Sequence, residues 1–325
     1  MKVNERYAIG VGLNLFDAQA ILLREDGKEV SSVERKRKSV DANETLNVLL
    51  SLFDDILTKS SKYKGKIVGA GVALGGIVDQ KKGSVYWPQK QETSYVRISI
   101  PFKKYLEEKL NLPIAMVNDT NACAWAEYVA NYKKYENLLY MFAGSGCGFI
   151  LNGKLYTGHD GGAGELLVTP HRDMTSIQGD FGFLAPWDHD MGITRRLKNL
   201  ISVGRKTALI KKIDSVGQLS LEEVFKEAKK DKLAKEVLTE AAYALGVKVS
   251  FLINLLNPEV VIIGGGFEEA GDSFLDEVVK TTKKFSFSLL RRNVKIHFST
   301  LGRKASAVGA AYRVFKEKTL QSKNG

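Results

Sequence analysis

The sequence predicts an α/β protein of two lobes with mixed sheets. Its 325 residues exceed what one small hydrophobic core organises. Buried strand patterns alternate with helical patterns in both halves of the chain, which is typical of sheets covered by helices. Each half opens in hairpin strands and continues through helices. The two halves therefore predict a duplicated fold around a central cleft.

The predicted domain boundaries follow from this order of elements. An N-terminal lobe spans residues 1–117 and is completed by a closing helix at 305–317. A larger C-terminal lobe spans residues 118–304, and residues 318–325 form a tail. No linker or low-complexity segment divides the lobes.

Strands dominate the start of the N-terminal lobe. Three of them are predicted within residues 7–30, with Asp26–Gly27 as the hairpin turn between the second and third. Apolar residues at helical spacing predict an amphipathic helix over residues 43–60. The remaining elements are a buried strand at 66–74, a short helix at 102–110 and a buried strand at 113–117.

The C-terminal lobe repeats this order. A helix begins at Asn118 and runs to about Tyr132, and residues 171–192 form an irregular excursion because their periodicity is weak. The predicted strands are 137–143, a hairpin of 148–152 and 154–157, 259–263 and 294–298. The predicted helices are 221–256 with a break near Asp231, 274–284 and 305–316.

Composition indicates a soluble globular protein in the cytoplasm. Hydrophobic residues make up 44% and charged residues 26% of the chain. No apolar run approaches the ~20 residues that span a bilayer, and the N-terminus lacks the features of a signal peptide. The two cysteines, Cys123 and Cys147, have no CxxC spacing, so neither a disulfide framework nor a zinc site is predicted.

The net charge of +11 raises the question of nucleic-acid binding. Apart from a basic run at 34–38, the lysines and arginines are scattered in pairs among glutamates, which is typical of a solvated surface. Only six residues precede Tyr7, so we expect no helix-turn-helix there. Direct nucleic-acid binding is not predicted.

The strongest of the motifs that could carry chemistry is Asn118-Asp119, where a buried strand becomes a helix. One interpretation is structural, since Asn118 is a favoured residue for capping the helix. The other is functional, since Asp119 lies at the carboxyl end of a strand and could remove the proton from a sugar hydroxyl during phosphoryl transfer. Both interpretations stay open on the sequence alone.

Glycine-rich segments follow other strands. Residues 143–148 (AGSGCG) could bring backbone N–H groups to a phosphate, and 264–266 (GGG) could support a nucleotide, although sharp turns explain both equally well. Residues 160–165 (DGGAGE) place a carboxylate on a flexible loop, suited to sugar hydroxyls or simply to solvent. In 73–79 (ALGGIVD), the glycines leave room beside a ring-shaped ligand.

Four of these segments in order resemble the ROK family of bacterial sugar kinases and sugar-responsive repressors. They are GVALGGIVD, PIAMVNDTNACAWAE, AGSGCGFILNGKLYTGHDGGAGE and LLNPEVVIIGGG, and the likeness runs from about Tyr7 to Lys316. The resemblance implies an actin-like ATPase (ribonuclease H-like) fold that holds a monosaccharide, with ATP beside it. It also implies a homo-oligomer, either a dimer or a tetramer.

The resemblance assigns roles to residues of this chain. Asp119 matches the catalytic base. The residues that match or adjoin the sugar site are Gly75, Gly76, Asn118, Asp119 and Glu165. The residues that match the phosphate and adenosine loops are Gly144, Ser145, Gly146, Gly148, Gly264, Gly265 and Gly266.

The sequence departs from the family's kinases in the first turn. Gly12, Asn14, Leu15 and Phe16 stand where those kinases carry Asp-x-Gly-Gly-Thr. The change removes a metal–phosphate contact and obstructs the terminal phosphates, and losing one such contact costs about 3 kcal/mol of transition-state stabilisation. Strong kinase activity is therefore not expected.

Two further family motifs are missing. Glu165 is followed by Leu-Leu-Val instead of x-Gly-His, and the cysteine-rich zinc motif is absent. His171 and His189 lie in that region without thiolates or a helical HxxxH spacing, so no metal site is predicted.

Three hypotheses result. The favoured one is a sugar sensor or regulator-like module with impaired kinase activity and no DNA-binding domain of its own. The second is an ATP-dependent hexose kinase with Asp119 as base, which would need ATP and Mg²⁺. The third is an assembly partner that binds neither ligand.

Overall fold

The structure is a computed structural model that describes residues 5–13, 17–36, 42–90, 95–142, 146–166, 192–213 and 219–321. The chain forms two compact units. Unit 1 contains residues 1–136, 148–164 and 303–325, and unit 2 contains residues 137–147 and 165–302.

Thirteen strands and eight α-helices are found in the described residues. The strands are β1 (Tyr7–Leu13), β2 (Asp17–Arg24), β3 (Glu29–Lys36), β4 (Ile67–Leu74), β5 (Ile77–Asp79), β6 (Ser84–Lys90), β7 (Tyr95–Ile100), β8 (Ile114–Asn118), β9 (Leu138–Phe142), β10 (Gly146–Leu151), β11 (Lys154–Tyr156), β12 (Val260–Gly264) and β13 (Lys295–Phe298). The helices are α1 (Ala42–Lys59), α2 (Phe102–Leu110), α3 (Asp119–Glu127), α4 (Ile193–Ser202), α5 (Leu221–Glu227), α6 (Lys232–Leu256), α7 (Asp272–Phe285) and α8 (Ala305–Gln321).

Unit 1 contains a mixed sheet of order β3-β2-β1-β4-β8. The first three strands are antiparallel, whereas β1, β4 and β8 run parallel. Leu49, Leu52 and Phe53, on the apolar stripe of α1, are fully buried in the core that also contains residues of β1, β2 and β4. That stripe is why the 43–60 segment forms a helix that packs inward.

Helix α8 lies directly against this sheet because the strands present glycines to it. A Cβ at Gly10 would lie 2.0 Å from the Ala307 carbonyl oxygen, and a Cβ at Gly71 would lie 2.0 Å from that of Ala310. Any larger residue would push the helix away. The glycines thereby place the start of α8 beside the carboxyl end of β1.

The second sheet has the order β11-β10-β9-β12-β13, with β9, β12 and β13 parallel. In unit 2, the long helix α6 packs against α7 at Gly246, where a Cβ would lie 2.6 Å from Thr281 Cβ. A third, antiparallel sheet joins β5, β6 and β7.

Most predicted elements are confirmed. The three opening strands, the turn at Asp26–Gly27 and the helix at 102–110 are present. The helical stretch from Leu221 is interrupted as predicted, and the Asp231 carboxylate caps α6 by accepting the N–H of Ala234 at 2.9 Å.

Other expectations were wrong or incomplete. The three-stranded sheet and α4 were not predicted. The helix expected to reach Tyr132 is α-helical only to Glu127 and continues as a π-helical turn over Tyr128–Tyr132. The irregular excursion predicted for 171–192 lies, except for its last residue, outside the described residues.

Both cysteines, Cys123 and Cys147, are free and buried. Among the described helices, none combines the length and the apolar composition that a membrane crossing requires.

Candidate functional site

Three parallel strands end at one edge of the unit 1 sheet. Gly12 pairs with Ala73, and Leu74 pairs with Asn118, so the carboxyl ends of β1, β4 and β8 are aligned. Ligands of α/β proteins bind at this kind of edge. Four of the predicted sugar-site residues are therefore brought together here: Gly75, Gly76, Asn118 and Asp119.

Asn118 makes two hydrogen bonds that order this edge. Its Oδ1 accepts the N–H of Asn121 at 3.0 Å, which caps α3, and its Nδ2 donates to the Gly76 carbonyl oxygen at 3.0 Å. The predicted helix cap is thus confirmed. The same carboxamide also fixes the segment after β4, which the sequence did not predict.

Asp119 is the first residue of α3 and is 9% exposed. Its Oδ1 accepts hydrogen bonds from the Thr120 N–H at 2.7 Å and the Thr120 hydroxyl at 3.4 Å. A Cβ at Gly75 would lie 3.6 Å from Asp119 Oδ2, so this second oxygen faces Gly75. A glycine at this position leaves space beside the carboxylate, where a hydroxyl of a ligand could donate to it.

Asn121 is a polar residue of this edge that the sequence did not single out. It is 2% exposed, and its Oδ1 is buried without a hydrogen-bond partner in the described part of the chain. A buried amide oxygen in this state is costly unless a ligand or water satisfies it. One indication of Asn121 was present in the sequence, because this residue lies on the first turn of α3, two positions after Asp119.

The glycine-rich loop of residues 158–164 also lies near this edge. A Cβ at Gly161 would lie 2.3 Å from the Val78 carbonyl oxygen, so the loop packs directly on β5. Asp160 Oδ1 accepts the N–H of Gly162 at 3.3 Å, which makes the loop less free than its composition suggests.

Glu165, the fifth predicted sugar-site residue, belongs to unit 2, whereas the other four belong to unit 1. It is exposed and forms an isolated antiparallel bridge with Gly146.

The predicted nucleotide loops follow neighbouring strands of unit 2. Phe142 pairs with Gly264, so β9 and the parallel strand β12 end at the same edge of the sheet. Gly146 begins β10 close after β9 in sequence, while Gly144 and Ser145 lie outside the described residues.

Gly148 has a packing role. A Cβ there would lie 2.6 Å from Ala124 Cβ and 2.8 Å from the Thr120 carbonyl oxygen. The structure therefore requires a glycine because β10 passes so close to α3, and its predicted contact with a phosphate stays a prediction.

Close packing accounts for Gly264, and turn geometry accounts for Gly265 and Gly266. A Cβ at Gly264 would collide with the Tyr140 hydroxyl, and Gly265 and Gly266 have φ of 77° and 96°. The Gly266 N–H donates to Glu268 Oε2 at 2.8 Å. Their predicted role in holding a nucleotide is not tested by these contacts.

The first turn is crowded by α8. A Cβ at Gly12 would lie 2.2 Å from Ser306 Oγ and 2.7 Å from the Ala307 nitrogen. Asp17 begins β2 and is 5% exposed, and its Oδ2 lies 2.7 Å from Arg303 Nη1. Asn14, Leu15 and Phe16 lie outside the described residues, so the predicted obstruction by Leu15 and Phe16 is untested.

A buried lysine lies in the interior of unit 2. Lys248 of α6 is 2% exposed, and burial lowers its pKa to about 7. It interacts with Cys147 of β10, whose pKa is raised by burial. His171 and His189 lie outside the described residues, and within those residues no cluster of three metal-ligating side chains is found.

Comparisons with known proteins relate the chain to both enzymes and regulators. The profile of the ROK family matches residues 7–317. The chain is 26% identical to a glucokinase of Halalkalibacterium halodurans, covering 99% of this chain and 98% of that protein. It is also 26% identical to a xylose repressor of Caldicellulosiruptor bescii, covering 98% of this chain and 80% of the repressor.

Two solved structures, one of a glucokinase and one of a transcriptional regulator, are similar in fold to this chain. A ROK glucokinase from Streptomyces griseus in complex with glucose and AMPPNP is similar, with a TM-score of 0.78, 22% identity and coverage of 95% of this chain and 99% of that chain. A ROK transcriptional regulator, a homologue of the E. coli MLC protein, has a TM-score of 0.75 at 20% identity, covering 98% and 80%. The predicted actin-like α/β fold is confirmed.

Proposed function

This chain belongs to the ROK family, and we propose that it is a member that binds a monosaccharide as a sensor while its kinase activity is impaired. The ligand is a monosaccharide, and binding it needs no zinc, membrane or nucleic acid. A cytoplasmic homo-oligomer is part of the same proposal.

One observation carries the impaired-kinase part of this proposal. The kinases' acidic residue in the first turn is replaced by Gly12, and the Ser306 hydroxyl would lie 2.2 Å from a Cβ at that position. An aspartate could not enter without moving α8, because the Ala307 backbone is also within 2.7 Å. The nearby carboxylate of Asp17 is held by Arg303 instead.

The sugar-binding part is supported by the edge formed by β4 and β8. Asn118 joins the Gly76 segment to α3, and Asp119 Oδ2 faces Gly75. These side chains are buried, ordered by hydrogen bonds and set at the carboxyl ends of parallel strands, where they are suited to grip hydroxyl groups.

The alternative is an ATP-dependent hexose kinase with Asp119 as the base. The same Asp119 geometry favours it, together with the two glycine segments at the ends of β9 and β12. ATP and Mg²⁺ would be required only under this alternative. Because the first-turn contacts are lost, the turnover rate of such a kinase would be about a hundredfold or more below that of a kinase that keeps them.

Two assays on the purified chain separate the possibilities. Thermal shift with a panel of monosaccharides and no ATP should raise the melting temperature for at least one sugar. ADP release with ATP, Mg²⁺ and the same sugars should stay near background. Turnover that is lost in Asp119→Asn, but kept in Asp54→Asn on the exposed side of α1, would establish the kinase instead. If no sugar shifts the melting temperature and none is phosphorylated, the assembly-partner hypothesis replaces both.

A further inference from the structure

Three cationic side chains of unit 1 gather near a tryptophan in the last turn of α3. We call this group the Trp125 site and define it by Trp125 of α3, Lys154 of β11, and Arg313 and Lys316 of α8. The Lys316 ammonium lies over the aromatic ring, with Nζ 4.0 Å from the Trp125 ring centroid. All four residues belong to unit 1.

The contact between Lys316 and Trp125 differs from other contacts between an ammonium and an aromatic ring in this protein. It joins two helices, α8 and α3. Three others in the described residues join neighbours in sequence, at longer distances of 5.0, 5.2 and 5.3 Å: Lys62–Tyr63, Lys134–Tyr135 and Lys284–Phe285. The position of Lys316 is therefore set by the packing of the fold and not by the local chain.

Like charges lie close together in the Trp125 site. Burial lowers the pKa of the Lys316 ammonium, and the charges of Arg313 and Lys154 lower it further. Arg313 Nη2 donates to Gln80 Oε1 at 3.1 Å, which is a neutral acceptor and does not offset the charge. Within the described ranges, neither Lys154 nor Lys316 forms an ion pair with a carboxylate. A half-buried ammonium among like charges is costly, and an anion would relieve that cost.

The helix dipole of α8 does not account for these cations. Cations are favoured in the last turn of a helix, and the effect falls off beyond that turn. Helix α8 continues to Gln321, so Arg313 and Lys316 both come before its last turn. Their contacts are made to Gln80 and Trp125, in other elements of unit 1.

The indole N–H of Trp125 is a further donor of the site. Trp125 is 9% exposed, and its Nε1 is buried with no hydrogen-bond partner among the residues that the structure describes. A buried donor in this state is costly unless a ligand or a water satisfies it. The ring that carries this N–H is the ring that Lys316 covers, so the two donors are neighbours.

Tyr128 connects the tryptophan to the hairpin that carries Lys154. Its ring centroid lies 5.6 Å from that of Trp125. Its hydroxyl would lie 3.2 Å from a Cβ at Gly153, the residue before Lys154. Lys154 itself is exposed, whereas Arg313 and Lys316 are half-buried. The site is therefore ordered on its inner side and open to solvent at the hairpin.

The functional groups of the site are suited to a phosphate group. Ammonium, guanidinium and indole N–H groups are all donors, so their ligand must be an acceptor. The planar fork of an arginine matches the oxygens of a phosphate. A phosphate with two negative charges also offsets more of the local positive charge than a carboxylate does.

We propose that the Trp125 site binds a phosphate group, carried either by inorganic phosphate or by a small phosphorylated metabolite. The helical rise puts Trp125 about 9 Å along α3 from Asp119. None of the candidate sugar and nucleotide residues belongs to the Trp125 site, so the proposal does not depend on the proposed function.

The test is a thermal shift of the full chain with inorganic phosphate, at an ionic strength held constant with sodium chloride. Phosphate in the millimolar range should raise the melting temperature of wild type and saturate. Lys316→Met keeps an apolar contact with the Trp125 ring but removes the charge, and it should weaken phosphate binding by about tenfold or more. Lys284→Met is the matched control, because it removes the same charge from an ammonium–aromatic contact in unit 2; it should bind phosphate as wild type does.

Two more variants make the result independent of how Lys316→Met folds. Lys154 is exposed, so Lys154→Met should fold normally and still weaken phosphate binding several-fold. Trp125→Phe keeps a ring beneath Lys316 and removes the indole N–H, and it should also weaken binding.

Glycerol 3-phosphate distinguishes the two sources of the phosphate group. If it binds more tightly than inorganic phosphate, the ligand is a phosphorylated metabolite; if it binds equally or less tightly, the ligand is free phosphate. A wild-type melting temperature that does not respond to phosphate would overturn the proposal. So would a phosphate response that is unchanged in Lys316→Met or in Lys154→Met, since phosphate would then be binding elsewhere on the chain.

Discussion

Arg303 Nη1 lies 2.7 Å from Asp17 Oδ2, which ties the turn before α8 to the first residue of β2. The Asp17 side chain is 7% exposed, whereas the Arg303 side chain is 29% exposed. The two residues are separated by 286 positions in the chain. This ion pair therefore connects the end of unit 1 to its first hairpin.

We expect Arg303→Met to lower the free energy of unfolding by about 1–3 kcal/mol, because it leaves a buried carboxylate without its cation. Lys304→Met is the matched control. Lys304 pairs with Glu29 at 2.9 Å, but both side chains are a third or more exposed, so its loss should be within about 1 kcal/mol. Denaturant unfolding measures both, and equal losses for the two variants would contradict the buried-pair account.

The close approach of Ser306 predicts that replacing Gly12 by any larger residue destabilises the protein. Gly12→Ala should lower the free energy of unfolding by about 1–3 kcal/mol, because even a methyl group overlaps Ser306 and the Ala307 backbone. Gly12→Asp should lose more.

Gly65→Ala is the control for this prediction, because a Cβ at Gly65 meets nothing within 4 Å. Its melting temperature should match wild type or exceed it. A Gly12→Ala protein as stable as Gly65→Ala would show that α8 yields easily at this contact and that packing does not exclude a side chain at position 12.

The two hydrogen bonds of Asn118 predict that the effect of this residue on stability can be separated from its effect on sugar binding. Asn118→Ala removes the cap of α3 and should cost about 1 kcal/mol, as should Ser220→Ala, which removes the side-chain cap of α5. Asn118→Ser keeps a capping oxygen but loses the hydrogen bond to the Gly76 carbonyl.

We therefore expect Asn118→Ser to unfold near the wild-type temperature while losing the shift produced by a bound sugar. Thermal melts with and without the sugar that stabilises wild type give both quantities. Full retention of the sugar-induced shift in Asn118→Ser would show that holding Gly76 is unimportant for binding.

Sequence reasoning found the elements whose signals are local. The helix at 43–60 has a continuous apolar stripe, and α6 starts at a capping aspartate, Asp231. Helix α4 was missed because it follows Gly192 without a side-chain cap. Strand β6 contains Pro88, which cannot donate to a ladder and obscures a strand pattern.

The residues of the candidate site also fall into two groups: those with a local sequence signal were predicted, and those that depend on packing were not. Asn118 and Asp119 were found because strand end, cap and carboxylate are adjacent in sequence. Arg303 and Ser306 were not found, since their relation to the first turn depends on the packing of α8 across the sheet. The packing role of Gly148 was not found either, because a sequence does not show that α3 passes beside it.

The burial of Lys248 predicts that the stability of the protein rises with pH. Its pKa is lowered from 10.5 to about 7, chiefly by desolvation, with the neighbouring Cys147 acting in the opposite direction. Between these values, the unfolded chain binds more protons than the folded chain, so stability should rise with pH. The penalty for burying this lysine is complete below about pH 7 and relieved toward pH 10.5.

Lys248→Met removes the titrating group while keeping most of the side-chain volume. We expect the melting temperature of this variant, relative to wild type, to be highest near pH 6.5 and to fall steadily as the pH is raised to 9.5, because only wild type gains stability over that range. Taking the difference at each pH cancels the titration of all other groups. A difference that stays constant from pH 6.5 to 9.5 would mean that Lys248 remains protonated in the folded protein across that range.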